Sequence, residues 1–311
     1  HGAQFLKEKL SYYIKIFLIS GALAIFIGIL VRFVFGETIL LYLGFSPNLS
    51  SWNFGDSIPI YHGIQGANIR RFQGIFDGPN QTAFFLITYL GLFIHYLKNK
   101  KDVEIYIFLG IFFILGLILL TYSRSSIVGL GGAIFVVFIL NIKKIFIKYK
   151  FALVCFLIFI FLLGGAFFIK YGNTTENIIL RLGSSKGHFE RMIIGFDRFK
   201  SNPLGEGLAS NGPAFRVTHD ISNINESYYI PESWYIQQLV EGGIIGLILF
   251  LLVMGLILIK IYQLSIPLFM TFLSVLIMNI FLHSFEAVYV TIILFIFLGI
   301  FLKNRELRNK N

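Results

Sequence analysis

Charged residues are scarce in this sequence of 311 residues: only 14% are Asp, Glu, Lys or Arg, whereas 56% are hydrophobic. A soluble domain of this size carries roughly 25% charged residues, so the composition excludes an ordinary soluble domain. Apolar runs of about 20 residues recur along the chain, which is the length that crosses a bilayer. The sequence is therefore that of a multi-pass membrane protein.

Cysteine and metal-binding patterns are nearly absent. The single Cys155 lies in an apolar run, cannot form an intrachain disulfide and is expected to pack against neighbouring helices. The sequence has no His/Cys cluster and no paired-aspartate motif, so we expect an activity without metal or cofactor. It has neither an initiator Met nor a cleavable signal peptide, and spans that precede His1 are left open.

An all-α membrane fold with about eight transmembrane helices follows from the apolar runs. We predict one polytopic domain over residues 1–311 in which two long loops, 35–78 and 170–232, interrupt the helices. The predicted helices are 11–34, 79–97, 103–122, 125–141, 151–169, 233–259, 264–282 and 287–302.

The distribution of lysine predicts the orientation. The short connections 98–102, 142–150 and 260–263 share one side with both termini, and the basic residues of that side are almost all lysine. Enrichment of Lys and Arg in short loops marks the cytoplasmic side. We therefore expect both termini in the cytoplasm, the two long loops outside, and the protein in a bacterial cytoplasmic membrane.

Arginine dominates the predicted outer side. Its planar fork can bond two phosphate oxygens at once, so this composition favours an outer face that binds an anion such as phosphate. The alternative is that these arginines pair with carboxylates of the same loops. They are Arg32, Arg70, Arg71, Arg124, Arg181, Arg191, Arg198 and Arg216.

The stretch RFQGIFDGPNQTAFF, residues 71–85, places polar and turn-forming residues directly before an apolar run. Pro79 suits the first turn of a helix, whose free N–H groups would then face outward and attract anions. Arg71 precedes this helix start by eight residues. The alternative is a simple turn in which Asp77 or Asn80 caps the helix and Arg71 reaches lipid headgroups.

The stretch TYSRSS, residues 121–126, joins two apolar runs without spare loop residues. Arg124 must therefore lie at the edge of the bilayer, where an ionisable residue is costly and is a functional candidate. Ser125 or Ser126 is expected to cap the following helix. Three glycines that follow, Gly129, Gly131 and Gly132, favour close helix packing over ligand contact.

The third polar helix end is PESWYIQQLVEGG, residues 231–243. Pro231 is predicted to start a helix with Glu232 in its first turn, where the alternative role of the carboxylate is capping. Glu241 lies about two turns deeper, and Gly242 and Gly243 beside it indicate tight packing or a kink.

Residues 187–200 form an amphipathic segment in the second long loop. Apolar residues from Phe189 to Phe199 share one helical face, which predicts a helix lying on the outer membrane surface or over a cavity. Asn202-Pro203 ends this helix. A glycine-rich region after it, with Gly205, Gly207 and Gly212, is predicted to be a flexible turn.

These stretches together resemble the O-antigen ligase and polymerase family over roughly residues 65 to 255, in order along the chain. RFQGIFDGPNQTA resembles the family pattern Arg-x-x-Gly-x-Phe-x-x-Pro-Asn, and TYSRSS resembles its Ser-Arg motif. ERMIIGFDRFKSNPLGEGL resembles an Arg-containing amphipathic helix followed by Asn-Pro-Leu-x-Gly-x-Gly. PESWYIQQLVEGGIIGL resembles the segment that enters the next span. The matching residues are Arg71, Gly74, Phe76, Pro79, Asn80, Ser123, Arg124, Arg191, Pro203, Gly205, Gly207, Tyr235, Glu241, Gly243 and Gly246.

The resemblance implies glycosyl transfer on the outer side of the membrane, from an undecaprenyl-diphosphate-linked saccharide to a saccharide acceptor. It implies that Arg71, Arg124 and Arg191 hold the diphosphate, with Glu232 as the base that takes the acceptor proton. Burial would raise the pKa of Glu232 and nearby arginines would lower it. The supporting residues are Asn80, Ser123, Tyr235 and Arg216.

One departure bears on the acceptor. Glu232, followed by Ser233, stands where ligases of the family commonly have His followed by Asn. This favours polymerisation of a lipid-linked glycan over ligation to a lipid A core or transfer to a protein hydroxyl. An alternative from another class is a transporter or flippase of anionic lipid-linked sugars, which would place polar residues near the midplane. Membrane lipids are expected partners and nucleic acid is not; the sugar, linkage and oligomeric state stay open.

Overall fold

The structure, a computed structural model, describes residues 2–36, 38–46, 63–64, 67–98, 100, 103–141, 182–212, 214–215, 219–220, 224 and 226–309. The described part is helical, as predicted, apart from a short antiparallel pair of strands in the first long loop, β1 (Gly63–Ile64) and β2 (Ala67–Arg70). The predicted helix 151–169 lies outside the described residues.

Ten helices carry the described fold, and a π-helical turn, Val31–Phe35, extends the first. They are α1 (Gly2–Leu30), α2 (Ile39–Tyr42), α3 (Pro79–Leu97), α4 (Glu104–Leu120), α5 (Arg124–Leu140), α6 (Leu182–Ser201), α7 (Glu226–Tyr229), α8 (Trp234–Tyr262), α9 (Ile266–Met278) and α10 (Val288–Asn309), with a 3₁₀ turn at Ser284–Glu286.

Helices α3 and α9 form the centre of the bundle. From Thr82 to Leu92 every residue of α3 is buried, which is expected of a helix that is apolar on all sides. Glycines allow the close approach of α9: a Cβ on Gly129 of α5 would lie 2.5 Å from the Ser274 carbonyl oxygen, and one on Gly132 would lie 2.9 Å from Ile277. The predicted packing role is confirmed for these two glycines, whereas no contact within 4 Å supports it for Gly131 among the described residues.

Large apolar side chains cover the outer faces of several helices, as at Phe112 on α4, Phe135 on α5 and Leu252 on α8. Such a continuous exposed apolar surface needs an apolar solvent or partner. Within the described part, two helices are long and apolar enough to cross a membrane, Leu10–Phe35 and Trp234–Tyr262, and four apolar helices are shorter. The count of eight spans therefore stays a prediction.

Helix α8 is broken at Gly243, whose φ of 63° and ψ of −166° lie outside the helical region. The predicted kink is confirmed. A tight loop, Asn202–Gly207, fills the break: the N–H groups of Glu206 and Gly207 donate to the carbonyls of Val240 and Glu241, at 2.7 and 3.0 Å. In return, Ile244 N–H donates to the Pro203 carbonyl at 3.0 Å. We call this pairing of loop 202–207 with the break in α8 the glycine clasp.

The clasp corrects one prediction. Gly205 and Gly207 were expected in a flexible turn, but Gly205 lies so close to α8 that a Cβ on it would be 2.6 Å from the Glu241 carbonyl oxygen. Backbone groups freed by the break in α8 are satisfied by this loop, because buried N–H and C=O groups need partners. Gly205 therefore serves the close approach of two backbones, whereas Gly207 has open space around it and a φ of +98° that favours glycine.

Candidate active site

The loop before α3 docks onto the end of α4. Phe72 N–H donates to the Leu120 carbonyl at 2.8 Å, and Arg71 Nε donates to the Thr121 carbonyl at 2.7 Å. Arg71 Nη2 also donates to Asn80 Oδ1 at 2.9 Å, at the start of α3. Only 9% of Arg71 is exposed, so these bonds hold a nearly buried guanidinium in one orientation.

Helix α3 begins at Pro79, as predicted, with Gly78 at the N-cap and no side-chain cap. Asn80 therefore does not cap the helix, and neither does Asp77. The Asn80 side chain accepts from Arg71 instead, so one motif contributes both an arginine and the residue that orients it.

The turn between α4 and α5 is compressed into Thr121, Tyr122 and Ser123. Tyr122 has φ +49°, a conformation that costs a non-glycine residue about 1–3 kcal/mol and that is found most often at functional sites. Arg124 is the first residue of α5 and Ser123 occupies its N-cap, so the prediction of a cap at Ser125 or Ser126 is wrong. Ser123 Oγ bonds Ser126 Oγ at 2.7 Å instead of a backbone N–H.

A cavity of about 300 Å³ lies where these elements meet. Arg71 and Arg124 line it together with the first residues of α3 and α5, so two helix N-termini and two guanidinium groups converge on one space. The rest of the wall is largely apolar. The lining residues are Arg71, Asn80, Tyr122, Arg124, Ser125, Val128, His188, Phe189, Met192, Phe281 and Leu282.

Helix α6 forms one wall of this cavity with His188, Phe189 and Met192. It is longer than the predicted segment 187–200, and it packs on the start of α8 through Gly195, where a Cβ would lie 2.6 Å from Ile236. Phe189, Ile193 and Phe196 form an exposed apolar face of α6, away from its contact with α8. Its predicted position over a cavity agrees with this arrangement, whereas contact with the membrane surface stays a prediction.

Glu232 does not lie in the first turn of α8, so that prediction is wrong. The helix starts at Trp234 with Ser233 at the N-cap, and Glu232 stands before it with φ +55°. This 8% exposed residue forms an ion pair with Arg191 Nη1, and its Oε2 lies 3.1 Å from His188 Nδ1. The contact with His188 has the distance of an ion pair without the alignment of a good hydrogen bond, since Nδ1 has no well-aligned acceptor.

Opposing effects act on the carboxyl group of Glu232. Burial raises its pKa, whereas contact with His188 and the charges of His188, His283 and Arg191 lower it, and the lowering prevails. The carboxylate is therefore stable in its charged form. A carboxylate with a depressed pKa is a weaker proton acceptor than one whose pKa is raised.

Not every outer arginine faces the cavity. Arg198, also only 9% exposed, pairs with Glu206 and donates to the carbonyls of Tyr228 and Ser210, at 2.8 and 2.9 Å. It ties α6 to the loop of the glycine clasp. Arg191 and Arg198 thus pair with carboxylates, as the alternative interpretation expected. Arg71 instead donates to the Thr121 carbonyl and to the Asn80 side-chain amide oxygen.

The structure brings together Arg71, Asn80 and Arg124 around the cavity. Arg191 and Glu232 pair with each other, and neither is among the residues that line the cavity. Tyr235 is elsewhere: its hydroxyl donates to the Leu276 carbonyl at 2.8 Å, which joins α8 to α9. Ser123 is buried under the turn, and Arg216 lies outside the described residues.

His188 was not predicted from the sequence. A signal was present, because residues three apart in a helix share a face and His188 precedes Arg191 by three residues. Phe281 and Leu282, which follow α9, also line the cavity. No local sequence pattern could have identified these two residues, because their position depends on where α9 ends.

Comparison with known proteins bears out the resemblance. Residues 109–251 match the family model described as O-antigen ligase, which supports an O-antigen ligase/polymerase-like family. The matched segment runs from α4 into α8 and contains Arg124, Arg191 and Glu232, whereas Arg71 precedes it. No curated protein and no solved structure matches the chain. The match supports a membrane protein with glycosyl transfer of the O-antigen ligase or polymerase type in general.

Proposed function

We propose that the cavity binds the diphosphate of an undecaprenyl-diphosphate-linked saccharide, and that the protein transfers this saccharide to a sugar hydroxyl on the outer side of the membrane. One observation carries the proposal: Arg71, Arg124 and the N-termini of α3 and α5 converge on a single cavity whose other walls are largely apolar. An amphiphile with a strongly anionic headgroup and a hydrocarbon tail has the complementary chemistry.

The proposed reaction breaks the bond between the anomeric carbon and the diphosphate oxygen, and the bonding electrons remain on that oxygen. Negative charge therefore grows on the lipid diphosphate in the transition state. Preorganised donors aimed at developing charge are commonly the largest contribution to such catalysis. Because arginines and helix N-termini supply this stabilisation, the proposal requires no metal ion.

The acceptor hydroxyl oxygen forms the new bond to the anomeric carbon and loses its proton to a base in the site. We expect this base in the region of Glu232. Arg191 of helix α6 forms an ion pair with Glu232, and this contact connects Glu232 to the helix that forms one wall of the cavity. In a polymerase the acceptor is itself a lipid-linked glycan, and in a ligase it is a lipid A core; Glu232 in place of the histidine of ligases favours the former.

Arg124→Lys tests the diphosphate site, because lysine keeps the charge and loses the planar fork. We expect transfer to fall by about 10²–10³-fold, corresponding to about 2.7–4 kcal/mol of lost transition-state stabilisation. Membranes of a strain that lacks this protein hold accumulated donor and native acceptor, and product is measured after adding purified enzyme in nanodiscs.

Arg32→Lys is the matched control. Arg32 is an outer arginine that donates to the Arg70 carbonyl at 3.3 Å and does not line the cavity, so its exchange should leave transfer unchanged. Equal activity of wild type and Arg124→Lys at matched expression would show that Arg124 serves topology and would remove the diphosphate site from this cavity.

A further inference from the structure

Glu232 is poorly placed to act alone as the base. It is 8% exposed, it is engaged by Arg191, and it is not among the residues that line the cavity. Its neighbour His188 does line the cavity, and His188 Nδ1 is the ring atom that lies 3.1 Å from the Glu232 carboxylate. The imidazole of His188 therefore lies between the cavity and the carboxylate of Glu232.

This order of groups has a chemical consequence. A carboxylate beside one ring nitrogen of histidine favours the proton on that nitrogen, which leaves a lone pair on the other nitrogen. With Nδ1 turned to Glu232, Nε2 is the nitrogen available for a group in the cavity. A carboxylate that orients a histidine also stabilises the imidazolium that forms when the histidine accepts a proton.

We propose that His188 takes the proton from the acceptor hydroxyl, and that Glu232 is a positioning residue that orients its ring. The inference rests on the proposed function, since it assigns the base for that transfer. As the hydroxyl oxygen bonds to the anomeric carbon, its proton moves to Nε2 of His188, and the diphosphate leaves with the electrons of the broken bond. His188 then releases the proton to solvent.

The surroundings of Glu232 support this division of roles. Burial raises the pKa of the Glu232 carboxyl, but the contact with His188 and the charges of His188, His283 and Arg191 lower it, and the lowering prevails. A carboxylate held in its charged form suits orientation of a histidine better than proton uptake. The strained φ of +55° at Glu232 is a further sign of function, because strain of this kind persists where surrounding structure holds a group in place.

His283 is the competing histidine. Its Nε2 lies 3.5 Å from Oε2 of Glu286 and so faces a carboxylate other than that of Glu232. His283 is also not among the residues that line the cavity.

The same cavity wall that contains His188 also contains Phe189 and Met192, which come from the same helix. A movement of α6 would therefore carry the base and part of the binding wall together.

The test uses full-length protein in nanodiscs, with two measurements on each variant. Undecaprenyl diphosphate without sugar is the probe for binding, and membranes of a strain that lacks this protein supply donor and acceptor for transfer. His188→Gln should bind the probe like wild type and transfer about 10²–10⁴-fold more slowly, the usual contribution of a general base. His219→Gln, at an exposed histidine, is the control and should transfer normally.

Two further results separate a base from a merely structural residue. Imidazole added to His188→Ala should restore part of the transfer, because it can occupy the vacated space at the cavity wall. Glu232→Gln should bind undecaprenyl diphosphate like wild type and should transfer more slowly than wild type but faster than His188→Gln, because His188 remains and loses only the group that orients its ring.

The outcomes keep the two proposals distinct. Wild-type transfer by His188→Gln, together with impaired Arg124→Lys, would overturn the role of His188 and leave the proposed function standing. Transfer at the wild-type rate by Glu232→Gln would overturn the positioning role of Glu232. Wild-type protein that neither binds undecaprenyl diphosphate nor forms product would overturn the proposed function itself.

Discussion

Substitution of Gly243 by alanine is the sharpest test of the glycine clasp. Gly243 has φ +63°, and a Cβ there would lie 2.6 Å from the carbonyl oxygens of Pro203 and Leu204. Real Cβ atoms essentially never approach this closely, and these neighbours are backbone atoms that cannot turn away. Either loop 202–207 leaves α8 or the break in the helix changes shape.

Two effects set the magnitude. A non-glycine residue in this backbone conformation costs about 1–3 kcal/mol, and overpacking of a filled interior costs about 1–3 kcal/mol more. We therefore expect Gly243→Ala to lower the free energy of unfolding by roughly 2–6 kcal/mol. Thermal unfolding in detergent, followed by intrinsic tryptophan fluorescence, measures this loss, because Trp234 lies at the start of the same helix.

Gly242→Ala is the matched control at the adjacent position. A Cβ on Gly242 would meet nothing within 4 Å, and its φ is not positive. Alanine there should be neutral or stabilise the helix by about 0.5–1 kcal/mol, since it has the higher helix propensity. Equal unfolding temperatures for the two variants would refute the clasp and show that α8 tolerates an unbroken course at Gly243.

Glu232 has a lowered carboxyl pKa in the folded protein. Its stabilisation relative to Glu232→Gln should therefore be full above the ordinary value of 4.5 and should be lost as pH falls through the lowered folded pKa; a gap in unfolding temperature that does not narrow at all below pH 4.5 would contradict this. Tyr235→Phe removes the hydrogen bond to the Leu276 carbonyl and should lower the free energy of unfolding by about 1 kcal/mol. Transfer at matched expression should be unchanged. A loss of transfer without a loss of stability would place Tyr235 in the site. Leu208→Cys, at a residue that is 89% exposed in the second long loop, should react with an impermeant thiol reagent in intact spheroplasts; labelling only after permeabilisation would place this loop in the cytoplasm.

The helical class, the polar helix ends and the family resemblance could all be predicted from composition and local pattern. Periodicity and composition are local properties, so the start of α3 at Pro79 and the position of Arg124 between two helices could be predicted from nearby residues alone. The resemblance also depends on motifs in series along the chain, and it is confirmed over residues 109–251. A kink was one of two alternatives, with tight packing, that Gly242 and Gly243 indicated, since glycine weakens a helix wherever it lies.

Contacts between residues distant in sequence could not be predicted, because they depend on how the helices pack. The contact between Glu232 and His188 joins residues far apart in sequence, and it depends on how α6 packs against the start of α8 through Gly195. Two opposing effects on the pKa of the Glu232 carboxyl, burial and neighbouring charge, were foreseen, but their balance depends on distances that no local pattern contains. The glycine clasp has the same origin: Gly205 looks like a turn residue in sequence, and its closeness to α8 arises because a broken helix leaves backbone groups that a neighbouring backbone must satisfy.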